Sequence, residues 1–227
     1  MPKDKDQHWD EVLSAASRLQ EYLPGAVLVG GTVAAIYAKH RMSVDDDHVM
    51  DTLKEYFDDV LEKLESVAGW KTARVNKPVL ILGNLDGIET GVRQLIRTRP
   101  LETKFFFVDA DNSIVLPTPA EILRIKAVLI LKRNAVRDYV DFAAMADYIG
   151  INEAADVLRQ IEEYYPENGN VLQQLTAQLS EPLPYDLDSV DLSQYKGLVE
   201  QWHTWSAVAG HCKDVAKTMM RLALDPS

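Results

Sequence analysis

Gly30-Gly31-Thr32, leading through a short segment to Arg41-Met42-Ser43-Val44-Asp45-Asp46-Asp47-His48-Val49, is the stretch on which the reading of this chain turns. It follows the apolar run Ala26-Val27-Leu28-Val29, which reads as a strand. Thr32 to His40 has helical character, and the acidic, alternating run from Ser43 to Val49 reads as a second strand. Side chains two apart on a strand share a face, about 6 to 7 Å from one another. Asp45 and Asp47 therefore project together, and Asp46 points away. Two convergent carboxylates of this kind can hold Mg²⁺ or Mn²⁺, hard ions that bind carboxylate and phosphate oxygens together.

The glycines belong to the same picture. At a strand-to-helix turn, Gly30 and Gly31 let backbone N–H groups approach an anion, and the helix adds its positive end. Thr32 offers a hydroxyl to the same phosphates. Arg41 and Ser43 stand just ahead of the aspartates, placed to orient the strand or a triphosphate. A Gly-Gly pair alone is usually a turn, and an acidic triplet before a helix is often a cap. The combination favours phosphoryl-transfer chemistry, which needs mainly positioning and charge neutralisation.

Outward from this stretch, Gln7 to Tyr22 has apolar residues at helical spacing and stops at Pro24-Gly25. Asp51 to Val67 reads as an amphipathic helix. Trp70 to Val75, Val79 to Leu82, Ile88 to Gln94 and Lys104 to Val108 read as strands, with Asp111-Asn112 turning into Ile114 to Leu116. Thr118-Pro119-Ala120-Glu121 is a capping box with proline at the first helical position. Helical patterns fill the remainder. The expected architecture is therefore an α+β chain, with a mixed-sheet domain over 1–117 followed by a helical domain over 118–227.

The composition sets limits. The 227 residues carry one cysteine, Cys212, so neither an internal disulfide nor a thiolate zinc cluster can form. No apolar run approaches the roughly 18 residues of a membrane span. The charged start offers no secretory signal, so a reducing cytoplasm is the expected location. The net charge of −11 argues against a general nucleic-acid binder. Base nevertheless concentrates from Lys71 to Lys104, and Arg93, Arg97, Arg99 and Lys104 could line a lane for RNA or phosphate, or form a solvated face.

The motifs resemble those of the AbiEii-type nucleotidyltransferases, known as toxins of type IV toxin–antitoxin systems within the DNA-polymerase-β-like class. Gly30-Gly31-Thr32 through Asp45-x-Asp47 resembles the family's first motif. Ile88-Glu89-Thr90-Gly91-Val92-Arg93-Gln94-Leu95 stands where its second acidic strand falls. Leu123-Arg124-Ile125-Lys126-Ala127 is similar to its lysine helix, and Arg137-Asp138-Tyr139-Val140-Asp141-Phe142 to its Arg-Asp-x-x-Asp-Leu signature. The four blocks span about residues 26 to 150; the tail after Gly150 matches nothing comparable. The resemblance implies an NTP co-substrate, a catalytic role for Lys126 at a phosphate, and nucleotide contacts for Arg137 and Asp141. It also implies an RNA acceptor such as a tRNA 3′ end, and an antitoxin partner. A small-molecule acceptor suits the acidic surface at least as well.

The later blocks also have physics of their own. Glu89 is the candidate third metal carboxylate beside Asp45 and Asp47, with Asp86 in reserve; a solvated loop acid is an equal reading of either. Lys126, in an apolar helix, either snorkels to the surface or reaches a buried anion. Arg133, Arg137 and Asp141 share one face if the helix runs on through Asn134; Arg137 with the aspartates could equally be a structural ion-pair network. His40 and His48 read as structural histidines, Trp202 and Trp205 as core or interface, and Cys212 as an inert buried thiol. The expected reaction moves a nucleoside monophosphate from NTP to an acceptor at a cleft between the two domains. The alternative is a nucleotide- or partner-binding protein on a degenerate version of the fold, without turnover.

Overall fold

The computed structural model describes residues 3–43, 45–97, 99–166 and 169–224. The chain divides into two compact units, Met1–Val33 with Ser43–Thr118, and Ala34–Met42 with Pro119–Ser227. The stretch Ala34–Met42 thus belongs with the helical unit, although it lies in the sequence among the strands.

The first unit contains α1 (Lys3–Tyr22), β1 (Val27–Leu28), the start of α2 (Gly30–Ala38), β2 (Asp46–Met50), α3 (Phe57–Glu65), β3 (Trp70–Asn76), β4 (Leu80–Leu85), β5 (Ile88–Gln94), β6 (Thr103–Phe107) and β7 (Ser113–Pro117). Among the described residues β1-β2-β5-β4-β3 form one sheet and β6-β7 a second. Only β2 and β5 run parallel; the other pairs of the larger sheet are antiparallel. Its core gathers Val12, Leu19, Leu53, Phe57, Leu64, Ile81, Leu85 and Val92. The helix expected over 51–67 is shorter, α3 spanning Phe57–Glu65, and a residue distant in sequence claims the backbone of its lost first turns. The Gln94 side chain accepts from the Lys54 backbone N–H (2.6 Å) and donates to the Asp51 carbonyl (2.8 Å), so this backbone closes the end of the sheet instead of a helical ladder.

The second unit holds the remainder of α2 and α4 (Pro119–Arg133), α5 (Val136–Ile149), α6 (Ile151–Arg159), α7 (Ile161–Tyr164), α8 (Val171–Ser180) and α9 (Trp205–Leu224). Helix α9 packs on α5, α6 and α8, and buries Val208, Cys212, Val215 and Ala216. The helix does not run on through Asn134, which takes a positive φ of 48° between α4 and α5. Arg133 therefore does not continue the face of Asp141. The Asp186 carboxylate accepts from the Val136 N–H (2.8 Å) and satisfies the new helix start.

Candidate functional site

In the first unit the site is built on the parallel pairing of β2 with β5. Asp46 aligns with Thr90 and Asp47 with Gly91. Asp46 is fully buried, while the Asp47 side chain is 38% exposed. Asp45 lies just before the strand and is exposed. The solvent side of β2 thus carries Asp47, as the alternation requires, and Asp46 faces the core.

Glycines clear the space around Asp47. Gly30 opens α2 with a φ of +81°, a conformation that L side chains avoid. A Cβ on Gly30 would stand 3.7 Å from Asp47 Oδ2, and one on Gly91 would stand 3.5 Å from Asp47 Oδ1. Both carboxylate oxygens are therefore flanked by residues without side chains. Arg93, the next outward residue on β5 after Gly91, places Nε 3.6 Å from Asp47 Oδ1. The Val29 N–H donates to the Asp47 carbonyl (2.8 Å), which fixes the strand beside the glycine turn.

The Asp47 carboxylate offers oxygen donors of the kind that bind a hard divalent cation together with phosphate oxygens and water, and Asp45 is a second exposed carboxylate just ahead of it in the chain. Among the described residues no three His, Cys, Asp or Glu side chains converge closely enough to hold an ion by themselves. Glu89 is exposed on β5, on the face that carries Gly91 and Arg93. The reserve acid, Asp86, is engaged by Arg18, which also donates to the Ala68 carbonyl (2.6 Å).

Some residues serve differently from their sequence reading. The Thr32 hydroxyl is buried and donates to the Asp45 carbonyl (2.5 Å), so it ties helix to strand rather than facing a phosphate. Ser43 is buried as well. In the expected basic lane, the buried Arg97 guanidinium donates to the carbonyls of Arg99 and Pro100 (both 2.8 Å), bracing its own loop.

In the second unit, three residues of the expected site, Arg41, Lys126 and Asp141, come together with His40 in one cluster around the buried Asp141 carboxylate. Arg41 donates through Nε (2.7 Å) and Nη2 (3.0 Å) to the two Asp141 oxygens, His40 Nε2 lies 2.8 Å away, and Lys126 Nζ 2.6 Å away. Lys126 Nζ also stands 3.6 Å from Asp138. Burial alone would raise the Asp141 pKa; the Lys126 and Arg41 charges, with the His40 and Arg41 hydrogen bonds, hold it well below the usual carboxylate range. The Lys126 side chain is 4% exposed, so the anion it reaches here is Asp141 rather than a phosphate. Arg137 is exposed, outside this buried cluster.

The core side of β2 holds an arrangement the sequence did not disclose. Asp46 and His48 are fully buried, with Nδ1 and Oδ1 3.2 Å apart. Burial pushes the Asp46 carboxyl up to about 8 and the His48 ring down to about 3, so both favour the neutral form at neutral pH. Gly91 and the His40 contact were also missed. A glycine inside the strand pattern of β5 was a usable signal of close approach; nothing in sequence spacing joins His40 to Asp141.

A mixed sheet whose parallel strand presents an aspartate beside a glycine-opened helix start defines the nucleotidyltransferase fold. Solved structures agree on that fold. JHP933 from Helicobacter pylori matches 100% of this chain and 96% of its own at 13% identity, with a TM-score of 0.61. The antibiotic-resistance factor ANT(2'')-Ia matches 70% of this chain and 94% of its own at 8% identity, with a TM-score of 0.50. The chain belongs to the AbiEii family: the model for "Nucleotidyl transferase AbiEii toxin, Type IV TA system" matches residues 11–213. A curated relative, the heme uptake protein MmpL11 of Mycobacterium tuberculosis, is 34% identical over 131 residues, 56% of this chain. The chain spans only 13% of that protein's length. No helix among the described residues is long and apolar enough to cross a membrane.

Proposed function

We propose that the protein transfers a nucleoside monophosphate from an NTP to an acceptor hydroxyl or phosphate, with release of pyrophosphate. The observation that carries this reading is the Asp47 carboxylate, flanked on both oxygens by Gly30 and Gly91. Asp47 and Asp45 would hold Mg²⁺ or Mn²⁺, which supplies charge neutralisation on the triphosphate. The backbone N–H groups of Gly30 and Gly31, at the start of α2, cradle the phosphates. Arg93 holds the Asp47 side chain until the triphosphate arrives, and Glu89 stands on the acceptor side as the third acid. The Asp141 cluster keeps Arg41 and Lys126 in fixed positions as a structural ion network.

The acceptor is an RNA end or a small molecule. The family's description as toxins supports the first and the likeness to an antibiotic-resistance factor the second. Action in the cytoplasm, where NTP and Mg²⁺ are abundant, and control by an antitoxin complete the proposal.

The test is binding of each of the four NTPs, with and without Mg²⁺, to the wild type and to Asp45→Ala/Asp47→Ala, followed by labelling of total RNA and of small hydroxylated acceptors. Metal-dependent binding that the double variant loses is the expected result. Binding indifferent to metal and to the substitutions would reject the proposal and favour a non-catalytic nucleotide binder.

A further inference from the structure

The rung beside Asp47 is held by an unusual pair. Thr90 Oγ lies 2.6 Å from the Asp46 carbonyl, to which it donates, and 3.0 Å from Asp46 Oδ2. Both residues are at least 98% buried. A buried aspartate is costly unless it is paired. The cost calls for a compensating role.

Strand register supplies one. The inward residues are Asp46, His48 and Met50 on β2, and Ile88, Thr90 and Val92 on β5. A slip by one residue would turn these core side chains to solvent and Asp47 inward, so hydrophobic burial forbids it. A slip by two residues keeps every side chain on its own face, so burial does not discriminate against it. Such a slip would set Asp46 opposite Ile88 or Val92, neither of which carries a polar side chain to share a hydrogen bond, and would leave its carboxyl unmatched. It would also set Asp47 opposite Glu89 or Arg93 instead of Gly91, filling the space on which the site depends.

We propose that Asp46 and Thr90 are positioning residues: their buried contact fixes the β2–β5 register and thereby places Asp47 opposite Gly91. The consequence for catalysis rests on the function proposed above; the register itself does not.

The experiment compares wild type with Thr90→Val, Thr90→Ser and Asp46→Asn by amide hydrogen exchange on the nucleotide-free protein, and by kcat and KM for NTP. In Thr90→Val, the amides of Asp47, His48 and Val49 should exchange about tenfold faster, as one lost buried hydrogen bond implies, while those of β4 stay protected. In the same variant kcat should fall more than KM changes, and Thr90→Ser should recover both readouts. Asp46→Asn retains an oxygen facing Thr90 and should keep wild-type protection. Unchanged β2 exchange in Thr90→Val, or acceleration spread evenly over β3 and β4, overturns the proposal. Should Thr90→Val fail to fold, loss of β2 protection in a folded Asp46→Asn or Thr90→Ser overturns it. Altered β2 exchange in a protein that binds no NTP would uphold the register and reject the catalytic reading.

Discussion

Arg41 grips Asp141 through two parallel hydrogen bonds, Nε to Oδ1 at 2.7 Å and Nη2 to Oδ2 at 3.0 Å, across 100 residues of chain. The carboxylate is fully buried, and Lys126 and His40 share it. Removing it leaves two cations with little access to water. Asp141→Asn should therefore destabilise the protein by about 3 to 5 kcal/mol at neutral pH, measured by urea denaturation. The folded pKa of Asp141 lies below the unfolded value, so its contribution is present above the unfolded pKa and is lost as pH falls through the folded one. The gap between wild type and variant should narrow as pH is lowered past about 4; a gap independent of pH would rule out the ion cluster as its source.

Gly91 predicts a second outcome. An added Cβ would come 2.6 Å from a Leu82 methyl and 3.5 Å from Asp47 Oδ1. Gly91→Ala should cost about 1 to 3 kcal/mol by overpacking, read from a denaturation midpoint, and should weaken metal-dependent NTP binding. A variant as stable as wild type would show that Leu82 gives way freely.

The Arg93–Asp47 pair is 3.6 Å apart, with both side chains more than a third exposed. Such pairs contribute little to stability. Arg93→Ala should shift the free energy of unfolding by less than about 1 kcal/mol while changing the salt dependence of NTP binding. A large stability loss would mean that Arg93 has a structural part beyond this contact.

Cys212 lies fully buried in α9, and burial pushes its thiol pKa up. A thiol reagent at pH 8 should leave the native protein unmodified for hours and react fully in denaturant. Rapid modification under native conditions would contradict the packing of α9.

How far the sequence could be read followed the range of the forces involved. Gly30-Gly31 and the opposite facing of Asp46 and Asp47 were legible because turn conformation and strand periodicity are local, whereas the strand begins at Asp46 and leaves Asp45 just outside it. The start of α4 at Pro119 was legible for the same reason. The truncated helix before Phe57 was not, because its backbone is claimed by Gln94 from another strand. Lys126 left snorkelling and a buried anion open, and a carboxylate from α5 decided between them.

By itself the sequence determined which residues alternate, cap and turn, and so which carboxylates reach the solvent side of β2. Tertiary structure decided who stands beside them. The pairing of Asp47 with Gly91, of Asp46 with Thr90, and of Arg41, His40 and Lys126 with Asp141 depends on strand register and helix packing. Those are set by the collective burial of side chains far apart in the chain, which no local pattern encodes.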